Sequence, residues 1–325
     1  MLDCLIIGAG PAGLVAATYL GRFRRRFAVI DGGGSRAAWI PVSRNIPGFP
    51  DGISGLDLLA HLRDQAARYG GTVRPATVET LEQVDGHFVA RIGGEVVEAS
   101  RVLLATGGED ISPELPGISD AVRRGLLRHC PICDAHEVIG QRVALIGYGK
   151  CRVPEAMLLR SYTADVTVLT LGRRLELRED EARTLREAGV RILEDPLERI
   201  AIEGEVVTGW HMRGGTEHRF DTVYSALGTR VRSDLALALG AEADADGALL
   251  VDGHQRSSVP GLWAAGDVAS GLSQVSVAAG QAAVAATDIN RSLPFPRAGK
   301  DGAVEEVSPP APPAPPPSGM RNRPE

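Results

Sequence analysis

The N-terminus carries a glycine pattern in a setting that strongly limits the fold. An apolar strand candidate runs into Gly8-Ala9-Gly10-Pro11-Ala12-Gly13, and a helical stretch from Leu14 to Leu20 follows. Between a strand and a helix, G-x-G-x-x-G allows a tight turn, close approach of a pyrophosphate to the backbone, and close packing of the helix on the strand. A second strand, Phe27 to Ile30, ends in Asp31, whose carboxylate can accept hydrogen bonds from a ribose. The pattern predicts a dinucleotide-binding βαβ unit with the candidate ligands Gly8, Gly10, Pro11, Ala12, Gly13 and Asp31.

The segment after Asp31 is predicted to be a long loop over the bound nucleotide, because residues 32–50 are rich in turn-forming residues. Leu56 to Tyr69 has apolar residues at helical spacing. Three short strand candidates then predict an antiparallel meander: Thr77 to Leu81, His87 to Ile92 and Glu95 to Ala99. A buried strand from Arg101 follows and ends in Ala105-Thr106-Gly107, which adds Thr106 and Gly107 as candidates.

A second βαβ pattern begins at strand Arg142 to Ile146 and continues through Gly147-Tyr148-Gly149, a helix and a strand at residues 165–171. Arg152 stands where glycine or alanine normally lets helix and strand touch, so the pattern is imperfect. The candidate ligands here are Gly147 and Gly149, with Arg173 and Arg174, which could meet the 2′-phosphate of NADPH. Two solvated arginines beside an acidic helix remain the alternative.

Ahead of this second pattern lies His129-Cys130-Pro131-Ile132-Cys133-Asp134-Ala135-His136. A Cys-x-x-Cys can close into a disulfide, and its neighbours set which sulfur becomes a thiolate. Asp134 favours redox chemistry, because a thiolate that leaves or attacks needs a proton donor. Half of a zinc site and an inert buried pair are the alternatives, but the other two cysteines, Cys4 and Cys151, lack partners at ligand spacing. We therefore expect no metal.

The rest of the chain is predicted to return to the first dinucleotide-binding unit. Further strands are predicted at residues 190–193, 206–212 and 223–227, and a crossover at residues 229–233. Gly266 and Asp267 end a strand predicted at residues 259–268, and an alanine-rich helix is predicted from Gln274 to Asn290. Residues 297–325 are proline-rich and are predicted to be disordered.

Composition excludes several classes of protein. The chain has 325 residues, enough for two domains, and a net charge of −6, which does not suit a nucleic-acid-binding surface. The N-terminal apolar run is too short to cross a membrane, and no export signal precedes it. With few cysteines and a Cys-x-x-Cys inside an α/β pattern, we expect a cytoplasmic protein.

These motifs, in this order, resemble the low-molecular-weight thioredoxin reductases, a class of two-domain flavoproteins, over residues 1–293. The resemblance rests on Gly-Ala-Gly-Pro-Ala-Gly, the Ala-Thr-Gly strand end, Cys-Pro-Ile-Cys-Asp before the second glycine pattern, and Ala264-Ala265-Gly266-Asp267-Val268. It implies an α/β fold with two Rossmann-like domains. An FAD-binding domain would be divided between residues 1–112 and 233–296, and an inserted NAD(P)H-type domain would occupy residues 113–232.

The resemblance also implies roles for individual residues. Cys133 would face the flavin and form the charge-transfer thiolate, Cys130 would exchange with the substrate disulfide, and Asp134 would carry the proton. The first glycine motif and Asp31 would hold the ADP half of FAD, and Asp267 the ribityl chain. A homodimer, a rotating inserted domain, and a thioredoxin-like protein or small disulfide as substrate are expected too.

The electron donor and acceptor leave three alternatives open: a dithiol oxidase, a reductase with a donor other than a nicotinamide, and a non-catalytic flavoprotein, against which the intact Cys-x-x-Cys-Asp argues. The His-Arg-Arg run that commonly follows the second strand of the inserted domain in such reductases is replaced here by Thr170-Leu171-Gly172. A related dithiol oxidase would pass electrons from small dithiols through flavin to oxygen. Those oxidases often have histidine after the second cysteine, whereas this chain has Asp134, so a reductase with NADPH as donor is the prediction.

Overall fold

The computed structural model describes residues 1–113, 121, 126–149, 153–204, 206–298 and 304–305. Seven strands within these residues form a mixed sheet. In spatial order they are Val73–Pro75, Phe27–Asp31, Leu2–Ile7, Glu95–Leu104, His87–Ile92 and Val78–Val84, and Leu262–Ala264 also pairs with Glu95–Leu104. The pairs around Leu2–Ile7 are parallel and those of the meander antiparallel. Parallel strands need crossovers, which two helices supply, Pro11–Arg22 and Gly55–Ala67.

Alternating side chains of the central strands build two separate cores. Cys4, Ile6 and Leu103 pack with the helices Pro11–Arg22 and Val275–Arg291. Leu5 and Leu104 face the other way, into a core that includes the meander. Since side chains alternate along a strand with period two, both faces of this sheet are covered, which explains its nearly continuous apolar strands.

A second sheet is built from five further strands of the described chain, all parallel. Their spatial order is Arg191–Leu193, Asp165–Leu169, Arg142–Ile146, Thr222–Ser225 and Leu127–Arg128. The helices Val153–Arg160 and Glu179–Glu187 cover one face. The other face packs on an antiparallel sheet formed by Leu197–Glu203, Val206–Met212 and Glu217–His218.

The two sheets are joined where the chain crosses between them. Strand Gly108–Asp110 leaves the first sheet, and Thr229–Val231 leads back to it, and the two pair with each other in antiparallel fashion. The remaining elements are short: Arg36–Trp39, Pro131–Asp134, Ala135–Val138, Asp234–Leu237, Arg297–Ala298 and Val304–Glu305. Among the helices that the structure describes, none has the length and apolar character needed to cross a bilayer.

The two-domain α/β fold is confirmed, with differences in detail that have local causes. Glu95–Leu104 is one strand rather than two. The strand predicted at residues 259–268 shrinks to Leu262–Ala264, because Pro260 lacks an N–H and Gly261 adopts a positive φ of 85°. The strand predicted at residues 165–171 ends at Leu169, because Leu171 and Gly172 just beyond it have positive φ values of 57° and 78°. Arg152, Cys151 and, apart from residues 297–298 and 304–305, the proline-rich tail lie outside the described residues.

An ion pair between a buried carboxylate and a half-exposed arginine holds the last helix against the first sheet. Asp288, only 5% exposed, accepts two hydrogen bonds from Arg256 at 2.6 and 2.7 Å and one from Trp263 Nε1 at 3.0 Å. Burial would raise the pKa of this carboxyl, but the hydrogen bonds outweigh burial and lower it. The pair therefore stabilises the fold above the ordinary pKa of an aspartate.

Replacing Asp288 with alanine is expected to lower the free energy of unfolding by about 2–3 kcal/mol, because Trp263 loses its acceptor and Arg256 its partner. Asp288→Asn keeps an acceptor and should lose about half as much. Because the folded-state pKa is lowered, the wild-type advantage over Asp288→Asn should shrink as the pH falls through that pKa. Urea unfolding at several pH values measures both effects, and equal stability of all three proteins would contradict the assignment.

Candidate functional site

A deep cleft lies at the carboxyl ends of the parallel strands of the first sheet and reaches the start of the second. It encloses about 1330 Å³ of space between atoms, including solvent at its mouth. The sequence-predicted residues that line it are Gly8, Gly10, Pro11, Ala12, Asp31, Thr106, Gly107, Cys130, Cys133, Asp134, Gly266 and Asp267. Gly13 supports this lining from the first turn of the helix.

Two glycines of the first motif are required by close contacts of the backbone. Gly8 has a φ of 106°, and a Cβ there would lie 2.2 Å from the carbonyl oxygen of Ala105. A Cβ on Gly13 would lie 1.9 Å from the carbonyl oxygen of Gly8. No side chain fits at these distances, so the glycines hold helix Pro11–Arg22 against the strand ends. The helix N-terminus thus opens into the cleft, where it favours an anion.

The other cofactor candidates close the sides of the cleft. Asp31 Oδ1 accepts a hydrogen bond from the Ala9 amide at 3.1 Å, which ties the second strand to the glycine loop. Thr106 donates to the Arg232 carbonyl at 2.6 Å and so connects the two crossing segments. The Gly266 amide donates to Gln281 Oε1 at 2.8 Å. These bonds fix the loops around the space that a dinucleotide would occupy.

Arg36 binds two carboxylates that, like Arg36 itself, line this cleft. Its Nε lies 2.7 Å from Asp110 Oδ2, and its Nη1 lies 3.0 Å from Asp267 Oδ2. Asp110 ends one crossing strand, whereas Asp267 follows Leu262–Ala264 in the first sheet. Arg36 therefore joins the loop after Asp31 both to the crossing segment and to the predicted ribityl-binding aspartate.

The two cysteines are bonded to each other in the same cleft. Cys130 precedes the short helix Pro131–Asp134, and the Cys133 amide donates to the Cys130 carbonyl at 2.9 Å. A disulfide leaves neither sulfur available as a thiolate ligand, so the pair in this state does not bind zinc. Burial lowers the pKa of the adjacent His129, which leaves its imidazole neutral. The geometry places a two-electron redox group beside the glycine loop.

Asp134 sits between a tyrosine and an arginine of the second sheet. Tyr224 Oη donates to Asp134 Oδ1 at 2.7 Å, and Arg128 Nη1 donates to Oδ2 at 3.2 Å. Tyr224 and Arg128 are opposite each other on paired parallel strands, which positions both for the same carboxyl. Burial outweighs these two donors and raises the pKa of Asp134. A carboxyl with a raised pKa can hold and release a proton next to the disulfide.

Replacing Asp134 with asparagine is expected to slow turnover about 100-fold or more, the usual loss when a general acid is removed. The same replacement should make the folded protein more stable than wild type at high pH. Because the folded-state pKa is raised, the contribution of Asp134 to stability is full at low pH and is lost as pH rises through that pKa. The stability of Asp134→Asn relative to wild type should therefore increase as the pH rises above the ordinary pKa of an aspartate and through the raised folded-state pKa, measured by thermal unfolding. A pH-independent difference would contradict this account.

The second glycine motif lies apart from the cleft. Gly147 and Gly149 donate their amides to the carbonyls of Leu169 at 3.0 Å and Arg174 at 2.9 Å, and Gly149 has a φ of 62°. The Arg173 guanidinium lies 4.6 Å from the ring centre of Tyr148, and both arginines are exposed. The arginines thus flank the motif, but the structure does not bring these four residues to the disulfide.

Several residues in and around the cleft were not found from the sequence. Arg36, Tyr224 and Gln274 each contact a predicted site residue across a long stretch of chain. Gln274 had one weak signal, because it is the first residue of the predicted last helix. Asn45 and Ser43 belong to the predicted loop over the nucleotide, where nothing distinguished them from their neighbours.

Comparison with known proteins gives consistent matches. A family described as "Pyridine nucleotide-disulphide oxidoreductase" matches residues 2–282. The chain is 32% identical to the thioredoxin reductase of Treponema pallidum over 87% of this chain and 94% of that protein. It is 31% identical to NADPH-dependent thioredoxin reductase 3 of Arabidopsis thaliana over 90% of its own residues, but it spans only 58% of that relative's length. The solved thioredoxin reductase of Streptococcus pyogenes superposes with a TM-score of 0.82 at 26% identity, covering 90% of this chain and 97% of that one.

Proposed function

The chain belongs to the pyridine nucleotide-disulphide oxidoreductases, among the proteins similar to low-molecular-weight thioredoxin reductases, and on this basis we propose that it is an FAD-dependent thiol-disulfide oxidoreductase. Electrons would pass from NADPH through FAD to the Cys130–Cys133 pair and on to a disulfide substrate. One observation supports this above others: the disulfide opens into the same cleft as the first glycine loop. A two-electron acceptor therefore adjoins the space offered to a dinucleotide.

The residues of the cleft fit FAD. Gly10 leaves room for a pyrophosphate at the helix N-terminus, Gly8 and Gly13 hold that helix against the strand ends, and Asp31 offers a carboxylate to a ribose. Thr106, Gly107 and Gly266 would line the rest of the site, with Asp267 toward the ribityl chain. The bound flavin would supply two-electron chemistry between a hydride donor and a disulfide.

The protein's own residues account for the thiol steps. Reduction of the pair takes two electrons and one proton, breaks the sulfur–sulfur bond and leaves Cys133 as thiolate and Cys130 as thiol. Asp134 would take the Cys130 proton. The resulting thiolate would attack the substrate disulfide, break its sulfur–sulfur bond, release the first substrate sulfur as a thiolate and form a mixed disulfide with the second. Attack by Cys133 then restores the internal disulfide and releases the second substrate sulfur, while Asp134 returns the proton.

NADPH would bind at Gly147 and Gly149, with Arg173 and Arg174 near its 2′-phosphate. Because both glycine amides already donate to backbone carbonyls, we expect the arginines to supply much of the attraction for phosphate. The motif lies away from the cleft, so hydride delivery would require rotation of a domain spanning residues 113–232 about the paired crossing strands. Residues 1–112 and 233–296 would form the FAD domain.

A thioredoxin-like protein is the proposed partner, since several relatives carry thioredoxin reductase in their names. A small disulfide is the alternative substrate. We also propose a homodimer, and a cytoplasmic setting, where NADPH and reduced thiols coexist.

Anaerobic titration of the flavin-loaded protein tests this function. NADPH, which delivers two electrons per molecule, should bleach the flavin absorbance. NADH should do so poorly because it lacks the 2′-phosphate. Dithiothreitol serves as a control for reduction through the cysteines. If dithiothreitol alone bleaches the flavin and oxygen restores its colour, the protein is a dithiol oxidase rather than a reductase.

A further inference from the structure

Three polar side chains form a chain of hydrogen bonds that ends on the disulfide. Ser43 Oγ lies 2.7 Å from Asn45 Oδ1, and Asn45 Nδ2 lies 3.0 Å from Gln274 Oε1. Gln274 Nε2 in turn lies 3.4 Å from Cys130 Sγ and 3.3 Å from Cys133 Sγ. A single amide group therefore faces both sulfurs.

The donors and acceptors follow one another along this chain. Ser43 is only 4% exposed, and its backbone pairs in both directions with Ile53, so its backbone is held in place. Its hydroxyl donates to Asn45 Oδ1, and the NH2 group of Asn45 donates to Gln274 Oε1. Gln274 Oε1 accepts from that NH2 group, and this leaves its own NH2 group as the donor toward the sulfurs.

The backbone holds Gln274 at the same place. Gln274 is the residue before helix Val275–Arg291, its amide donates to the Leu272 carbonyl at 3.0 Å, and its carbonyl accepts from Ala278 at 2.9 Å. The side chain thus reaches the disulfide from the first sheet, whereas the cysteines belong to the chain segment before the second. The contact exists only while the two are docked in this arrangement.

We propose that Gln274 sets the reduction potential of the Cys130–Cys133 pair by donating to the reduced sulfur, and that Asn45 and Ser43 are positioning residues that orient it. This inference rests on the proposed redox function. Reduction of the disulfide consumes two electrons, from the flavin or an external dithiol, and one proton, and it yields one thiolate and one thiol. The thiolate carries a full charge that the disulfide lacks, so an N–H donor stabilises the reduced form more than the oxidised form. A donor here makes the pair easier to reduce.

The test is a redox titration of the full chain carrying FAD, in glutathione buffers extended with dithiothreitol, with the free thiols counted by alkylation and mass measurement. Gln274→Leu should shift the equilibrium about tenfold toward the disulfide, which is about 30 mV more negative. Gln274→Glu has nearly the same shape but places a carboxylate beside the sulfurs, so its shift should be larger. Asn45→Asp removes the donor that orients Gln274 and should shift the equilibrium in the same direction.

Gln83→Leu is the matched control, because Gln83 is an exposed glutamine that donates to the Pro260 carbonyl and does not line the cleft, so this change should leave the potential unchanged. If Gln274 only filled space, the cysteine pair would not have a more negative potential in Gln274→Glu than in Gln274→Leu. Equal potentials for wild type, Gln274→Leu and Gln274→Glu would therefore overturn the inference. If the wild-type pair does not titrate at all, the proposed redox function itself fails. The two failures are therefore distinguishable.

Discussion

Replacing Cys133 with serine should abolish turnover of a disulfide substrate, with a fall of about 1,000-fold or more. A hydroxyl cannot close a disulfide with Cys130, so the pair can no longer accept two electrons. The variant should still bind FAD, because Cys133 is not part of the glycine loop. It should also lack the long-wavelength charge-transfer absorbance that a thiolate next to a flavin produces.

Cys130→Ser should lose turnover to the same extent but keep that absorbance, since Cys133 would then be a permanent thiolate. Anaerobic spectra and a disulfide-reduction assay measure the two effects. Cys4→Ala is the control, because Cys4 is buried and burial raises its pKa to about 12, so it takes no part in thiol chemistry. If the band survives in Cys133→Ser and disappears in Cys130→Ser, the roles of the two cysteines are reversed.

Gly13→Ala should destabilise the protein by about 4 kcal/mol or more and abolish FAD binding. The new methyl group would lie 1.9 Å from the Gly8 carbonyl oxygen, and backbone on both sides cannot move without separating the helix from the strand. Chemical denaturation and the ratio of flavin to protein after purification measure the two losses.

Gly10→Ala provides the contrast within the same loop. Gly10 has a φ of −72°, which any residue adopts, and its new methyl group would meet only the Ser35 hydroxyl at 3.3 Å. This side chain can rotate away, so stability should fall by no more than about 1 kcal/mol. FAD affinity should still decrease, because the methyl group would project into the cleft. Equal stability of Gly13→Ala and Gly10→Ala would contradict the role assigned to the third glycine.

The parts of the site that sequence predicts are those encoded locally. The first glycine motif joins a strand, a turn and a helix within about twenty residues, so its geometry follows from neighbours in the chain. The cysteine pair is a four-residue motif followed by its acid. Both could be recognised without knowing how distant segments pack.

The parts that sequence misses depend on contacts across the fold. Tyr224 reaches Asp134 because strands Thr222–Ser225 and Leu127–Arg128 are neighbours in the second sheet. Gln274 reaches the cysteines because the first and second sheets dock in this arrangement. No periodicity or spacing carries that information, since tertiary pairing selects which polar residue of a loop or helix end meets the site.

Electron transfer from NADPH to the cysteines is the central step of the account, and thiol counting after anaerobic reduction tests it most directly. The flavin-loaded protein is mixed with NADPH without oxygen, quenched in an alkylating agent under denaturing conditions and measured by mass. Two newly alkylated thiols per chain are expected, at Cys130 and Cys133, and none without NADPH. A bleached flavin with an intact disulfide, or thiols freed by dithiothreitol but never by NADPH, would contradict it.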